Sequence, residues 1–375
     1  MKTYDAVVAG GGLIGASIAL ELASAGLHVG VFDAQKPGRE ASWASAGMIS
    51  PAPESAAQAC VLPLSMTSAQ AYPEFIRRVE ELTGKNVGYR REGALDIFLT
   101  DVTKEEIAEI LEEHGKAGLR AELVSSEEAC ELEPAITAEI RAGIIRHDEA
   151  SLDNRVLTEA TLEAARRKGA EIYSGNGAKA LLMESSTCKG LQVETGRVEA
   201  RWTVIAAGCF SAQIEGAAAY APVIPAKGQM MALRCDGVKL RRDLWSGHMY
   251  LVPRTDGRII AGSTIEYAGF DRSTTAGGMK KILDGAIALA PGLEKARIEE
   301  TWAGLRPDTP DHLPIVGPTD REGLLIATGH FRSGILLAPI TAQLIREWVT
   351  TKKVSVDWSA FSPMRFQEKR QMRTA

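Results

Sequence analysis

Cysteine and histidine are scarce in this chain of 375 residues, which contains five cysteines and six histidines. No cysteines form a C-x-x-C pair and no H-E-x-x-H stretch is present, so the spacings typical of zinc sites are missing. An odd number of cysteines also fits no complete disulfide framework. We therefore predict no metal site, and reduced, mostly structural thiols in a cytoplasmic protein. The cysteines are Cys60, Cys130, Cys188, Cys209 and Cys235.

Positive charge is not in excess, because the formal net charge is −5 and Lys and Arg are scattered along the chain. This balance predicts no nucleic-acid partner and favours no anionic membrane surface. No apolar run approaches the ~18 residues of a membrane-spanning helix. The apolar N-terminus is similar to a signal peptide, but Asp5 and three glycines interrupt it. We therefore interpret it as a strand and a helix of the fold.

What the chain does have is a strand, a glycine turn, a helix and a second strand at its N-terminus. In order, these are a strand (residues 4–9), Gly10, Gly12 and Gly15, a helix (16–25), a strand (28–32) and Asp33. The glycines fit the G-x-G-x-x-G spacing, in which they permit a tight turn, approach of a pyrophosphate and close helix packing. The terminal acid suits ribose hydroxyls and argues against a 2′-phosphate. The alternative is a glycine-rich turn without a ligand.

Several later stretches extend this pattern. Residues 202–207, followed by Gly208, form a continuous apolar run typical of a central strand buried on both faces. Residues 37–50 form a loop whose small side chains suit close approach to a flat ligand. Further strands are predicted at 90–99, 140–146, 171–174, 191–198, 229–234, 249–253, 258–263, 297–303 and 324–328, and helices at 63–84, 103–118, 126–131, 154–168, 277–289 and 335–349.

The order of these elements predicts an α/β fold with an added antiparallel sheet. A Rossmann-like dinucleotide domain is assembled from separated stretches, and a substrate domain is inserted between them. Such an alternation favours a flavoprotein over a simple nicotinamide dehydrogenase. The tail from Phe361 is basic and polar, and we expect it to be loose. The predicted bounds are 1–84, 146–221 and 299–375 for the nucleotide domain, and 85–145 and 222–298 for the substrate domain.

Four further stretches carry a resemblance that covers nearly the whole chain. They are Ser-Ala-Gly-Met at 45–48, Tyr-Leu-Val-Pro-Arg at 250–254, Trp-Ala-Gly-Leu-Arg-Pro at 302–307, and the stretch from Thr328 to Pro339. With the glycine turn, they resemble the D-amino-acid oxidase superfamily of FAD enzymes, most closely the bacterial glycine oxidases.

The resemblance implies an FAD cofactor. It places the adenosine and pyrophosphate near the glycine turn, the flavin along residues 46–48, and the adenine edge at the backbone of residue 178. It also places a helix start after residue 329 near the pyrimidine end of the flavin, where a positive helix dipole would stabilise negative charge. Because residues 308–317 contain no cysteine, we expect non-covalent FAD. The implied cofactor residues are Gly10, Gly12, Leu13, Ile14, Gly15, Asp33, Ala34, Ala41, Ser42, Ser45, Ala46, Gly47, Met48, Ala178, Gly208, Gly329, His330, Phe331, Arg332, Ser333, Gly334, Ile335 and Leu336.

The resemblance further implies that Arg306 and Tyr250 are the catalytic residues and bind the substrate carboxylate. A guanidinium can hold a carboxylate through two parallel hydrogen bonds, which suits amino acids over plain amines. We expect Arg306 to lie on a turn between Gly304 and Pro307. The alternatives are a structural salt bridge for the arginine and a satisfied core hydroxyl for the tyrosine.

Three other residues are implied on the substrate side. His248 and Arg332 would lie near the carboxylate, with an incidental loop residue and a structural ion pair as the respective alternatives. Ile265 stands where the glycine oxidase pattern has a methionine, so its branched side chain would alter the pocket.

The implied reaction is oxidative deamination of a small amino acid to an α-keto acid, ammonia or amine, and hydrogen peroxide, with dioxygen as acceptor. Positioning and charge would carry catalysis without a side-chain base. Glycine, sarcosine, D-amino acids and larger N-substituted glycines all stay open as substrates. Alternatives are a dehydrogenase that uses another electron carrier, and a flavin-binding module without turnover. The resemblance also implies a homotetramer and a link to thiamine biosynthesis.

Overall fold

The computed structural model describes residues 2–52 and 56–367. The helices are α1 (Leu13–Ser24), α2 (Ala41–Ala44), α3 (Leu62–Thr83), α4 (Lys104–Lys116), α5 (Ser126–Leu132), α6 (Asn154–Arg167), α7 (Ala276–Leu289) and α8 (Ala338–Thr351). The strands are β1 (Thr3–Ala9), β2 (Val29–Phe32), β3 (Met48–Ile49), β4 (Ala94–Phe98), β5 (Ala121–Val124), β6 (Ala142–Arg146), β7 (Ala150–Ser151), β8 (Glu171–Tyr173), β9 (Ala178–Glu184), β10 (Thr187–Val193), β11 (Gly196–Ile205), β12 (Ile224–Arg234), β13 (Asp243–Ser246), β14 (Met249–Pro253), β15 (Arg258–Gly262), β16 (Arg297–Asp308), β17 (Ile315–Pro318) and β18 (Leu324–Thr328).

The first sheet is the predicted dinucleotide sheet, with the strand order β17-β18-β11-β1-β2-β8. Its central strands run parallel, β1 lying between β11 and β2. The hairpin of β9 and β10 extends from β11. Helix α1 packs against α6 and α8, and its buried apolar residues join theirs in one core. Because β1 ends at the glycine turn and α1 begins there, the sheet brings the turn to its carboxyl edge, where such folds bind nucleotides.

The second sheet has the order β16-β12-β15-β14-β13-β4-β6-β5. Its pairs are antiparallel except for β13 with β4. One face packs on α7, where Leu251 and Ala261 share a core with Ile282. On the opposite face, Met230 and Trp302 pack with alanines of the 41–48 segment of the nucleotide half. The two halves therefore meet at this second face of the sheet. Successive side chains of a strand point to opposite faces, so the same strands can contact α7 on one side and the nucleotide half on the other.

The predicted fold class is confirmed, since a parallel nucleotide sheet and an inserted antiparallel sheet are both present. The domain bounds themselves stay a prediction. One bound conflicts with the strand pairing, because β16 pairs with β12 along almost its whole length. The predicted boundary after residue 298 cuts this strand, so residues 299–308 belong with the second sheet.

Three local predictions need correction. Residues 196–205 form one continuous strand, so the hairpin strand and the central strand that were predicted separately are a single element. The predicted loop at 37–50 contains a short helix and a two-residue strand. Helix α8 begins at Ala338, because a series of turns occupies the preceding residues.

The described part of the tail, residues 361–367, is more ordered than its polarity predicted, whereas the prediction for residues 368–375 falls outside the described residues. Phe361 is buried against the first core, and the Arg365 guanidinium donates to the Asp311 carboxylate at 2.9 Å. These partners are distant in sequence, so local composition could not predict them. Among the described residues, no helix has the length and apolar character needed to cross a bilayer.

Candidate active site

The glycine turn is closed by backbone contacts that leave no room for side chains. Gly10 has φ +102°, and a Cβ there would lie 2.5 Å from the carbonyl oxygen of Ala206. A Cβ on Gly15 would lie 2.0 Å from the carbonyl oxygen of Gly10. The third glycine therefore has the packing role predicted for it, and both positions are sterically restricted to glycine.

Asp33 closes the same turn from the second strand. Its Oδ2 accepts a hydrogen bond from the backbone N–H of Gly11 at 2.7 Å, and its Oδ1 accepts one from the N–H of Gln35 at 2.9 Å. The carboxylate also lines the cavity described below. It thus fixes the turn and stays available to a ligand through its remaining acceptor positions.

Residues 41–48 lie between the two halves and are held by hydrogen bonds from both. The N–H of Leu13 donates to Ser42 Oγ at 2.9 Å, which ties this segment to the start of α1. Trp302 of β16 donates from Nε1 to the carbonyl oxygen of Ala44 at 2.9 Å. The buried Arg254 donates from Nη2 to the carbonyl oxygen of Ala46 at 2.8 Å. The segment therefore lies fixed between the nucleotide turn and the second sheet.

A single cavity of ≈ 830 Å³ runs from the glycine turn to the open face of the second sheet. This volume lies in the range of small-molecule and cofactor sites. Most of the sequence-predicted site residues line it, namely Gly10, Gly12, Leu13, Ile14, Asp33, Ala34, Ala41, Ser42, Ser45, Ala46, Gly47, Met48, Ala178, Gly208, His248, Tyr250, Arg306, His330, Phe331, Arg332, Ser333, Gly334, Ile335 and Leu336.

Three predicted site residues do not line the cavity. Gly15 and Gly329 lie behind it, where added Cβ atoms would meet the Gly10 carbonyl and the Thr309 side chain. Ile265 is 41% exposed on the surface, so the structure gives no support to its expected effect on the pocket. A motif spacing indicates a turn but does not separate residues that face a ligand from those that support it.

Sequence reasoning missed several lining residues. Gly228 and Met230 of β12, Trp245 of β13 and Cys209 all contribute to the cavity wall. A glycine inside a strand pattern is a signal for close approach, and Gly228 could have been found on that basis. Met230 and Trp245 carry no local signal, because only strand order brings them to the cavity, whereas Cys209 directly follows the predicted Gly208.

Arg306 lies within β16, opposite Ala226 of β12, and not on the predicted turn. Its Nη2 donates to Ser263 Oγ at 2.7 Å and its Nη1 donates to the carbonyl oxygen of Thr264 at 3.2 Å. The guanidinium crosses Gly228, where an added Cβ would lie 2.2 Å from Nη1. Within the described part of the chain, no carboxylate forms an ion pair with Arg306, so the salt-bridge alternative finds no partner there.

Tyr250 approaches the same region from β14. Its ring lies 5.3 Å from that of Trp245, and its hydroxyl lies 3.0 Å from the sulfur of Met230. Gly262 leaves room for this hydroxyl, since a Cβ there would lie 2.9 Å from it. The tyrosine is 4% exposed, so it belongs to an apolar cluster and to the cavity wall together.

The turn at 329–336 closes the cavity between the two sheets. Phe331 has φ +46°, and its N–H donates to the carbonyl oxygen of Pro307 at 2.9 Å, which fixes the turn on β16. His330 is buried, with Nε2 3.0 Å from Thr341 Oγ1, and burial lowers its pKa to about 3. The imidazole is therefore neutral at physiological pH. Arg332 and the exposed His248 line the cavity as well.

Comparison with known proteins gives a consistent result. Residues 5–348 match the family model described as FAD dependent oxidoreductase. The chain is 32% identical to glycine oxidase from Geobacillus kaustophilus, covering 96% of each chain. A crystal structure of glycine oxidase from that organism superimposes with a TM-score of 0.91 at 30% identity, covering 97% of this chain and 99% of that one.

A second kind of relative is longer. The chain is 34% identical to the bifunctional protein ThiO/ThiG of Trichormus variabilis over 98% of its own length. It spans 56% of that relative, so it is similar to about half of the bifunctional protein.

Proposed function

We propose, from the premise that the chain belongs to the FAD dependent oxidoreductase family, that it catalyses oxidative deamination of a small amino acid. One amino acid, one dioxygen and one water would yield one α-keto acid, one ammonia or amine, and one hydrogen peroxide. Glycine would give glyoxylate. The two glycine oxidase comparisons support this substrate class.

The residues of the cavity fit FAD, which supplies the acceptor for two electrons when bound. The glycine turn and the start of α1 would hold the pyrophosphate, because backbone N–H groups and the helix dipole point there. Residues 46–48 would lie along the flavin, and the backbone of Ala178 at the adenine edge. Because residues 308–317 contain no cysteine, we expect the FAD to be bound non-covalently.

Arg306 carries the proposal. It is a cavity-lining cation held by two neutral oxygens, Ser263 Oγ and the carbonyl of Thr264. Because no described carboxylate pairs with this partly buried guanidinium, it gains most from a ligand that brings a carboxylate. Hydrogen bonds between charged groups contribute about 1.5–3 kcal/mol each. We therefore assign the substrate carboxylate to Arg306.

Tyr250 would donate a hydrogen bond from its hydroxyl to the same carboxylate. The sulfur of Met230, which lies next to this hydroxyl, is only a weak hydrogen-bond acceptor. The aromatic rings of Tyr250 and Trp245 in the cavity wall would exclude water from the α-carbon of the substrate. Neither residue needs to remove a proton. Their role would be to orient the α-hydrogen, which by itself can contribute a large part of the barrier reduction.

Replacing Arg306 tests this assignment. Arg306→Ala should retain the yellow cofactor and raise the KM for the amino acid by about 10- to 150-fold, the equivalent of ~1.5–3 kcal/mol. Arg306→Lys should recover only part of the loss, because an ammonium lacks the planar fork. An unchanged KM in Arg306→Ala would refute the carboxylate role.

Hydrogen peroxide measured against α-keto acid tests the acceptor. A ratio near one, with oxygen as the sole acceptor, supports an oxidase. Turnover that needs an added dye and yields no peroxide would assign a dehydrogenase.

Anaerobic bleaching of the flavin by glycine, sarcosine or a D-amino acid would exclude a binding module without turnover and would rank the substrates. The homo-oligomer and the thiamine link stay predictions.

A further inference from the structure

The acceptors that hold Arg306 belong to a short segment, residues 263–266, at the end of β15. This segment is paired with β12 through two backbone hydrogen bonds, from Lys227 N to Glu266 O at 2.8 Å and from Glu266 N to Lys227 O at 2.9 Å. The position of Arg306 thus depends on how firmly this segment is fixed. Backbone pairing over a single residue pair is a weak constraint by itself.

A cluster of polar side chains adds the missing constraint. Thr264 Oγ1 donates to Glu266 Oε1 at 2.6 Å and accepts from the N–H of Gln229 at 3.0 Å. Gln229 Nε2 donates to the same carboxylate oxygen at 2.7 Å. Lys227 Nζ donates to Asp271 at 2.7 Å and lies 3.6 Å from Glu266 Oε2. Thr264 is the member of this cluster whose carbonyl oxygen accepts from Arg306.

Lys227 and Gln229 lie on the side of β12 that faces away from the cavity. Lys227 and Gln229 alternate along β12 with Gly228 and Met230, which line the cavity, whereas the two polar residues do not. Both polar side chains are at most 1% exposed. Burying an ammonium and an amide here is costly unless every group is paired.

The buried ammonium of Lys227 lies near two carboxylates, those of Asp271 and Glu266. Burial alone would raise the pKa of Glu266, but the hydrogen bonds from Thr264 and Gln229, with Lys227 nearby, lower it. The carboxylate is therefore ionised at neutral pH, and it accepts two hydrogen bonds as a charged group, which makes them shorter and stronger.

We propose that Thr264, Glu266, Gln229 and Lys227 are positioning residues that fix Arg306 for recognition of the substrate carboxylate. None of these four residues lines the cavity. The inference rests on the proposed function, since it assigns a purpose to the guanidinium's fixed geometry. A displacement of about 1 Å in such a group can cost up to about 10²-fold.

Acetate is a suitable probe, because it is a carboxylate without an amine. Its binding to the FAD-loaded protein is measured by the change in the visible flavin spectrum. Thr264→Val removes the hydroxyl and keeps the side-chain shape, and we expect it to raise the Kd for acetate at least about tenfold. Thr264→Ser, which retains the hydroxyl, should bind acetate like the wild type. FAD content should stay close to that of the wild type in both variants, whereas the melting temperature of Thr264→Val should fall, because the buried N–H of Gln229 loses its acceptor.

Thr301→Val is the matched control, since Thr301 is an exposed threonine of β16 outside the cluster. If Thr264→Val binds acetate as tightly as the wild type while Arg306→Ala binds it more weakly, the positioning role alone would be overturned. Equal binding by Arg306→Ala and the wild type would overturn the proposed function and the positioning role with it.

A second variant covers failure of Thr264→Val to fold. Glu266→Gln keeps the shape of the carboxylate and removes its charge beside Lys227. It should weaken acetate binding in the same direction, and unchanged binding would overturn the inference. A loss of FAD or of stability without any change in acetate affinity would show a merely structural role.

Discussion

At the scale of single residues, the cavity depends on side chains that are absent as much as on those that are present. Because Gly228 has no side chain, the guanidinium of Arg306 can lie against it, and Gly262 leaves room for the hydroxyl of Tyr250 in the same way. Glycine in a strand weakens it, so two glycines on one face of a sheet need a compensating purpose. Here the purpose is to let a guanidinium and a phenol approach the sheet surface from neighbouring strands.

Gly228→Ala should therefore displace the guanidinium. Its Cβ would lie 2.2 Å from Arg306 Nη1, so the arginine must move away from Ser263 and Thr264. We expect a KM for the amino acid raised about tenfold or more, with FAD content unchanged. Gly237→Ala, at an exposed glycine with open space around it, is the control and should behave as the wild type. Wild-type kinetics in Gly228→Ala would contradict the geometry.

Asp243 predicts a pH dependence of stability. Burial raises its pKa from 3.8 to about 7, although Ser151 donates to its Oδ1 at 2.9 Å. The folded state thus binds more protons than the unfolded state between these two values. Stability should fall as pH rises through this window, by at most ~1.4 kcal/mol per pH unit from this group, and level off above about 7.

Urea unfolding of the wild type and of Asp243→Asn at pH 5 and pH 8 measures this effect. Relative to Asp243→Asn, the wild type should have a higher free energy of unfolding at pH 5 than at pH 8. A difference that is the same at both pH values would exclude Asp243 as the cause.

At the scale of elements, β1, the glycine turn and α1 form a tightly constrained unit of the cofactor half. The constraint is steric at Gly10 and Gly15, and polar at Asp33, which holds the N–H of Gly11. The contacts of Gly15 and Asp33 lie within one strand–turn–helix–strand pattern, so the sequence predicts them, whereas Gly10 meets Ala206, which is distant in the chain.

Gly15→Ala should disrupt this unit. A Cβ at 2.0 Å from the Gly10 carbonyl would force α1 away from β1 and distort the turn. We expect purified protein with little or no flavin, measured as the ratio of visible to ultraviolet absorbance. Gly115→Ala, in α4 with open space around it, should keep full flavin content and gain up to about 1 kcal/mol of stability. Full flavin content in Gly15→Ala would contradict this role.

At the scale of the whole molecule, the two halves are joined through the segment 41–48. The guanidinium of Arg155 lies 3.7 Å from the ring centre of Trp43 and 4.6 Å from that of Trp302, and it pairs with Glu300 at 2.7 Å. Trp302 also donates to the carbonyl of Ala44. The second sheet thus holds the part of the nucleotide half that lines the cavity.

Trp302→Phe should weaken this junction. It removes the indole N–H and leaves the buried Ala44 carbonyl without its donor, at a cost of about 1–3 kcal/mol. We expect a lower melting temperature and a lower FAD affinity, measured by fluorescence titration of the apoprotein. Trp348→Phe, in α8 outside the cavity lining, should not change FAD affinity. Equal FAD affinity in both variants would argue against a junction role.

The amino-acid sequence by itself determined the nucleotide turn and the alternation of the two sheets, whereas the carboxylate-binding candidates Arg306 and Tyr250 came from the resemblance to a known family. The turn and the alternation depend on steric limits of glycine and on apolar periodicity, which are local properties of the chain. The tertiary structure decided the strand location of Arg306, its neutral acceptors, the surface position of Ile265 and the polar cluster beneath β12. Each of these depends on which strands become neighbours, because side chains far apart in the chain meet only through the register of the second sheet.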